Sequence, residues 1–150
     1  MSLHFTVRLM EDWKTVARAV IDALQAGDIL TLSGPLGAGK TTFTQALASE
    51  LGVQISPRSP TFSLMRMYPF PERNGMTRLI HIDAYRLEKS SDILALNLEE
   101  ERDEPGTILV IEWPEQISSW LQKQKGVKRL KITLGTGEER EVVLEEDISE

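Results

Sequence analysis

Apolar positions along the chain follow two rhythms in turn. Trp13, Val16, Ala17, Val20 and Leu24 recur at helical intervals, the stripe of an amphipathic helix that Gly27 would close. "DILTLS" then reads as a buried strand, and from Lys40 to about Leu51 the apolar set Phe43, Ala46, Leu47 and Leu51 returns to helical spacing, with Gly52 as the stop. The chain turns irregular through "VQISPRSP". "TFSLMRMY" reads as a strand that runs into the turn signals of "PFPERNG". "RLIHIDAY" is the next strand, with Leu79, His81 and Asp83 on one face and Ile80 and Ile82 on the other. "SSDILALNLEEER" has a capping-type start and helical content, broken by Asn97. "TILVIEW" has the apolar, β-branched character of a central parallel strand. Leu130, Ile132 and Leu134 alternate before a Gly-Thr-Gly turn and a second β-branched run, so the tail reads as a hairpin. Strands alternating with helices predict an α/β layered fold with a mostly parallel sheet.

Composition narrows the classes. A chain of 150 residues predicts one domain, residues 1–150, with neither an internal repeat nor a dividing linker. The longest apolar run is far short of a membrane span, and no secretory signal opens the chain. The absence of cysteine excludes disulfides and thiolate metal sites and suits a cytoplasmic protein. A formal net charge of -6 argues against a direct grip on nucleic acid, which needs clustered Lys and Arg. Any RNA is then held by a partner.

The chemistry concentrates in "GPLGAGKTTF". Gly34 to Thr41 satisfies G-x-x-x-x-G-K-[ST], set between a predicted strand and a predicted helix. The glycines let the backbone wrap phosphates, so that N–H groups of Gly37, Ala38 and Gly39 and the positive helix end face the anion. Lys40 is the cation for the β- and γ-phosphates, the Thr41 hydroxyl can join the shell of Mg²⁺, and Thr42 faces the α-phosphate region. A plain Gly-rich turn capping a helix is the bland alternative.

Hydrolysis needs an acid for the metal and a means of orienting water. Ligands of parallel α/β sheets lie at the carboxyl ends of strands, where Glu112 ends "TILVIE" and Asp83 ends "RLIHID". His81 shares the face of Asp83, and a lone strand histidine is more often a packed, hydrogen-bonded residue. Ser59-Pro60-Thr61 lies where nucleotide switches keep a loop that contacts the γ-phosphate or its metal, although composition alone equally suits a structural turn. Trp113 and Pro114 either report nucleotide state or simply pack the strand end.

"GPLGAGKTTF", "SPTFSL", "HIDAYRL" and "VIEWPEQ", in this order, resemble the TsaE (formerly YjeE) family, over Thr15 to about Gln116. The resemblance implies a P-loop NTPase-like three-layer domain and a bacterial ATPase required for threonylcarbamoyladenosine formation in tRNA. It implies ATP and Mg²⁺ as ligands, with Thr41 and Glu112 at the metal, Gly37 to Thr42 at the phosphates, and Thr15 near the adenine. Asp83 and Thr61, with Lys40, become the residues of hydrolysis and nucleotide sensing. The implied partners are TsaD and TsaB, whose assembly ATP hydrolysis resets, with tRNA contacted only through that complex. Asn97 stands where the family commonly has glycine, a tolerable exchange at a left-handed position.

Two rival readings share the cradle. A small P-loop metabolite kinase should carry an Arg-rich lid, and only scattered arginines follow Glu112. A GTPase could use "DEPG" at Asp103, but that stretch precedes a strand instead of ending one, and no N-K-x-D guanine reader occurs.

Overall fold

A computed structural model describes residues 2–54, 65–86 and 97–146. Its elements are β1 (Ser2–Val7), α1 (Asp12–Ala23), β2 (Ile29–Ser33), α2 (Lys40–Leu51), β3 (Met65–Arg73), β4 (Met76–Asp83), α3 (Leu98–Asp103), β5 (Thr107–Glu112), α4 (Ser118–Leu121), β6 (Val127–Leu134) and β7 (Arg140–Glu146), with short 3-10 turns at Ala84–Arg86 and Pro114–Ile117. Among the described residues no helix is long and apolar enough to cross a membrane.

The strands form one sheet in the order β1-β7-β6-β2-β5-β4-β3. Its centre is parallel, β6 to β2 to β5 to β4, and both flanks are antiparallel. The expectation of a mostly parallel sheet is therefore corrected to a mixed one. Hydrophobic pattern reports burial, not direction; β3 and β7 join the sheet through hairpins that force antiparallel pairing, and β1 then pairs antiparallel with β7. The predicted C-terminal hairpin is β6–β7. The strand β1, which carries no apolar run because only Val7 is buried, pairs antiparallel with β7.

The "PFPERNG" stretch is also not a loop. β3 runs through Pro69 and Pro71 to Arg73, and the turn is Asn74–Gly75 alone, with φ of 53° and 80°. Prolines are tolerated because β3 is an edge strand. Ser59, Pro60, Thr61 and the first part of the predicted "TFSLMRMY" strand lie outside the described residues, as does the beginning of "SSDILALNLEEER". Asn97 adopts the left-handed conformation, φ 53°, at the start of α3.

Two apolar clusters sandwich the sheet. Leu30, Leu32, Leu79, Ile108, Val110 and Leu130 pack with α1 and α2 through Val16, Val20, Phe43 and Leu47. On the other face Ile29, Ile80, Ile82, Leu109 and Ile111 meet Leu98, Ile117, Trp120 and Leu121. The strands β2 and β5 are thus covered on both faces, as central strands of a parallel sheet are. Leu47→Ala, at a fully buried position, should lower unfolding stability by about 2–5 kcal/mol, read as a reduced denaturant midpoint.

Candidate functional site

Three chain segments converge at the carboxyl ends of the central strands. The loop after β2 runs from Gly34 to Gly39 into α2, and the parallel register sets Leu32 beside Glu112 and Glu112 beside Asp83. An open cavity of about 450 Å³ lies there, lined by the loop, Lys40, Thr41, Thr42, Asp83, Tyr85, Glu112 and Trp113. Of the expected site residues, the structure brings together Gly37, Gly39, Lys40, Thr41, Thr42, Asp83 and Glu112. Ala38 belongs to the same loop but is buried. Thr15 is exposed on α1 and lines neither this cavity nor a neighbouring one of about 300 Å³, formed by Met10, Glu11, Trp13, Lys14, Thr42, Gln45, Ala46 and Ser49. Thr61 falls outside the described residues.

The loop conformation depends on its glycines. Gly39, the residue before α2, has φ 114°, and a Cβ there would lie 2.6 Å from Cζ2 of Trp13. A Cβ on Gly34 would lie 2.5 Å from the carbonyl oxygen of Ile132 in β6. The loop is pressed between the helical layer and the hairpin, so its curvature is imposed from both sides.

Lys40 is the electrostatic centre. Its Nζ donates to the Gly34 carbonyl at 2.6 Å and lies 3.4 Å from the centroid of the Trp113 ring. Burial holds its pKa below the usual lysine range, while the carboxylates of Glu112, Glu115 and Asp83 push it up. Trp113 reaches this position because its backbone is left-handed, φ 59°, immediately after β5. Such a conformation costs a non-glycine residue about 1–3 kcal/mol and concentrates at functional sites. Tyr85 packs on Trp113, ring centroids 5.1 Å apart.

The two acids are held differently. Asp83 accepts a hydrogen bond from the Tyr85 backbone N–H at 3.0 Å, which fixes the turn after β4. Glu112 Oε2 lies 2.7 Å from His81 Nε2, both side chains being buried. The expected packed, hydrogen-bonded histidine is found, and its partner is the acid at the end of β5. The site also includes groups to which no role had been attached. Tyr85 sits in "HIDAYR" without any charge or spacing to mark it. Arg140, at the start of β7, directs Nη2 to the Gly37 carbonyl at 3.5 Å, a contact across 103 residues that only the folded hairpin creates.

As a donor set, Glu112, Asp83 and Thr41 offer hard oxygens only, which suits Mg²⁺ over softer metals. Among the described residues no group of three His, Asp or Glu side chains forms a protein cage for a metal. "DEPG" leads into β5 from its amino end, and Asp103 does not line the cavity.

The family model described as "Threonylcarbamoyl adenosine biosynthesis protein TsaE" matches residues 7–142. The chain belongs to the TsaE family. Similar proteins named tRNA threonylcarbamoyladenosine biosynthesis protein TsaE occur in Mycobacterium bovis, 37% identical over 79% of this chain and 73% of that one, and in Bacillus subtilis, 34% identical over 88% and 78%. The crystal structure of YdiB from Bacillus subtilis matches with a TM-score of 0.72 and 31% identity, covering 96% of this chain and 84% of that one. At 96% of this chain, the fold likeness extends beyond the Thr15–Gln116 stretch in which the TsaE motifs lie.

For this TsaE-family loop, Gly39→Ala should both strain the backbone and drive a methyl into the Trp13 ring. A loss of about 2 kcal/mol or more in chemical denaturation is expected. Unchanged stability would mean that the loop is not wedged against α1.

Proposed function

We propose that the protein binds ATP with Mg²⁺ and hydrolyses it to drive turnover of a TsaD–TsaB complex during threonylcarbamoyladenosine formation in tRNA. The observation that carries this reading is the row of Leu32, Glu112 and Asp83 across three parallel strands, which sets two acids beside a glycine-rich loop and its lysine. The net charge of -6 supports leaving the tRNA to the partner complex.

In this reading the loop N–H groups of Gly37, Ala38 and Gly39 take the phosphate oxygens. Lys40 exchanges the Gly34 carbonyl for the β- and γ-phosphates, a stronger, charge-assisted hydrogen bond. Thr41 and Glu112 hold Mg²⁺, which when bound neutralises charge on the phosphates and helps orient them. Thr42 lies on the wall shared by both cavities, so the nucleoside would extend past it towards Met10, Glu11 and Lys14, with Thr15 at the next position of the same helix. Asp83 accepts a hydrogen bond from the attacking water and aligns it with the γ-phosphorus. Thr61 would sense the γ-phosphate, and release of its loop on hydrolysis would change affinity for the partner.

The deciding experiment measures ATP hydrolysis with and without TsaD–TsaB and tRNA. Stimulated phosphate release, with modified tRNA accumulating over several rounds, is expected. Transfer of phosphate to a metabolite faster than to water would replace this reading with the kinase. Lys40→Ala should weaken ATP binding roughly 10–150-fold, the loss of one charged hydrogen-bonding group, as seen by calorimetry. Glu112→Ala should chiefly damage Mg²⁺-dependent hydrolysis, and Asp83→Asn should lower kcat with little change in KM; a pure binding defect would take Asp83 out of the chemical step.

A further inference from the structure

We infer that His81 is the positioning residue of Glu112: it fixes the carboxylate so that one oxygen is spent on the imidazole and the other is presented to the cavity. The inference deepens the reading of Glu112 as a magnesium residue and rests on it. Four observations support it. His81 and Glu112 are both buried, with side chains 1% and 7% exposed, so neither relies on solvent for its hydrogen bonds. The contact is short, 2.7 Å, and joins Nε2 to Oε2 specifically. It is diagonal across the sheet, since His81 is in register with Val110 while Asp83 is in register with Glu112. Both side chains therefore leave their strands on the face that packs against α2, which Leu79 and Val110 share.

The fourth observation is Nδ1 of His81, which is buried and has no hydrogen-bond partner among the described residues. If Nδ1 carried the proton, a buried N–H would be left without an acceptor among the described residues. With the proton on Nε2, the ring donates to the carboxylate and Nδ1 is a bare lone pair, the less costly group to leave unpaired. A donor of this kind orients the acid through one hydrogen bond, and the rotamer of Glu112 is restricted to the one that faces the loop. Carboxylates that hold metals commonly rely on such a hydrogen-bonded partner, whose removal weakens metal affinity about 10–100-fold.

The test compares the full-length wild type with His81→Gln and His81→Asn. A glutamine amide stands roughly where Nε2 stands, whereas an asparagine amide stands where Nδ1 stands and falls short of Oε2. ATP affinity is measured by calorimetry without Mg²⁺ and across a Mg²⁺ titration, with cooperative thermal melting as the check on folding. For His81→Asn the Mg²⁺ concentration giving half of the gain in ATP affinity should rise roughly tenfold or more, with metal-free ATP affinity unchanged. His81→Gln should recover most of the wild-type value. A wild-type Mg²⁺ dependence in His81→Asn would overturn the inference. So would an equal loss of ATP affinity with and without Mg²⁺ that glutamine does not rescue, because that marks a merely structural residue. A wild type whose ATP affinity ignores Mg²⁺ would instead remove the metal role of Glu112, and the role of His81 with it.

Discussion

Register along β5 is the constraint on which the site depends. A one-residue slip would turn Glu112 away from α2 and bring Ile111 to the cavity in its place. Alternation cannot prevent this slip, because β5 is buried along both faces. Polar contacts at the two ends do so instead. At the entry, the Thr107 carbonyl accepts from the Gly27 N–H at 2.7 Å and its hydroxyl accepts from Arg78 Nε at 3.0 Å. At the exit, Glu112 meets His81 and the Trp113 N–H donates to the Leu32 carbonyl at 3.3 Å. Of the residues that fix the strand's position at its exit, Glu112 and Trp113 also line the cavity.

Charge in the cavity is balanced around one lysine. Burial disfavours the Lys40 ammonium, three carboxylates favour it, and the Trp113 ring face adds a cation–π contact. The surroundings therefore hold a cation in place without saturating it with a single bonded carboxylate. Trp113 keeps a strained backbone to take part. Lys40 lies over the indole of Trp113, against which Tyr85 packs at an interplanar angle of 52°, so a displacement of Lys40 would alter the surroundings of Trp113 directly.

Much of this was legible in the order of residues. The loop from Gly34 to Thr42, the helix it opens, the β5 run and the hairpin all rest on strong local signals, and Asp83 and Glu112 follow from standing at strand ends. What escaped required contacts between distant segments. The partner of His81 lies 31 residues away and depends on strand register. Arg140 approaches Gly37 only once β7 has joined the sheet. The strand β1 has too little buried surface to leave an apolar pattern, and Pro69 and Pro71 disguise β3 as a loop because prolines are usually strand breakers. Strand direction is invisible to periodicity: beyond the C-terminal hairpin, nothing in the pattern marks β1 or β3 as antiparallel.

Those two prolines also affect how the sheet meets other chains. An edge strand is a template for foreign strands, since its outward backbone groups remain to be paired. β3 lacks an N–H at two of its nine positions and carries rigid rings there, so an incoming strand would find an interrupted ladder. The opposite border, β1, has no proline in Ser2–Val7. Self-association through strand addition is therefore obstructed at one border of the sheet, and a chain in search of backbone partners would find them along β1, on the far side of β7 and β6 from the acids.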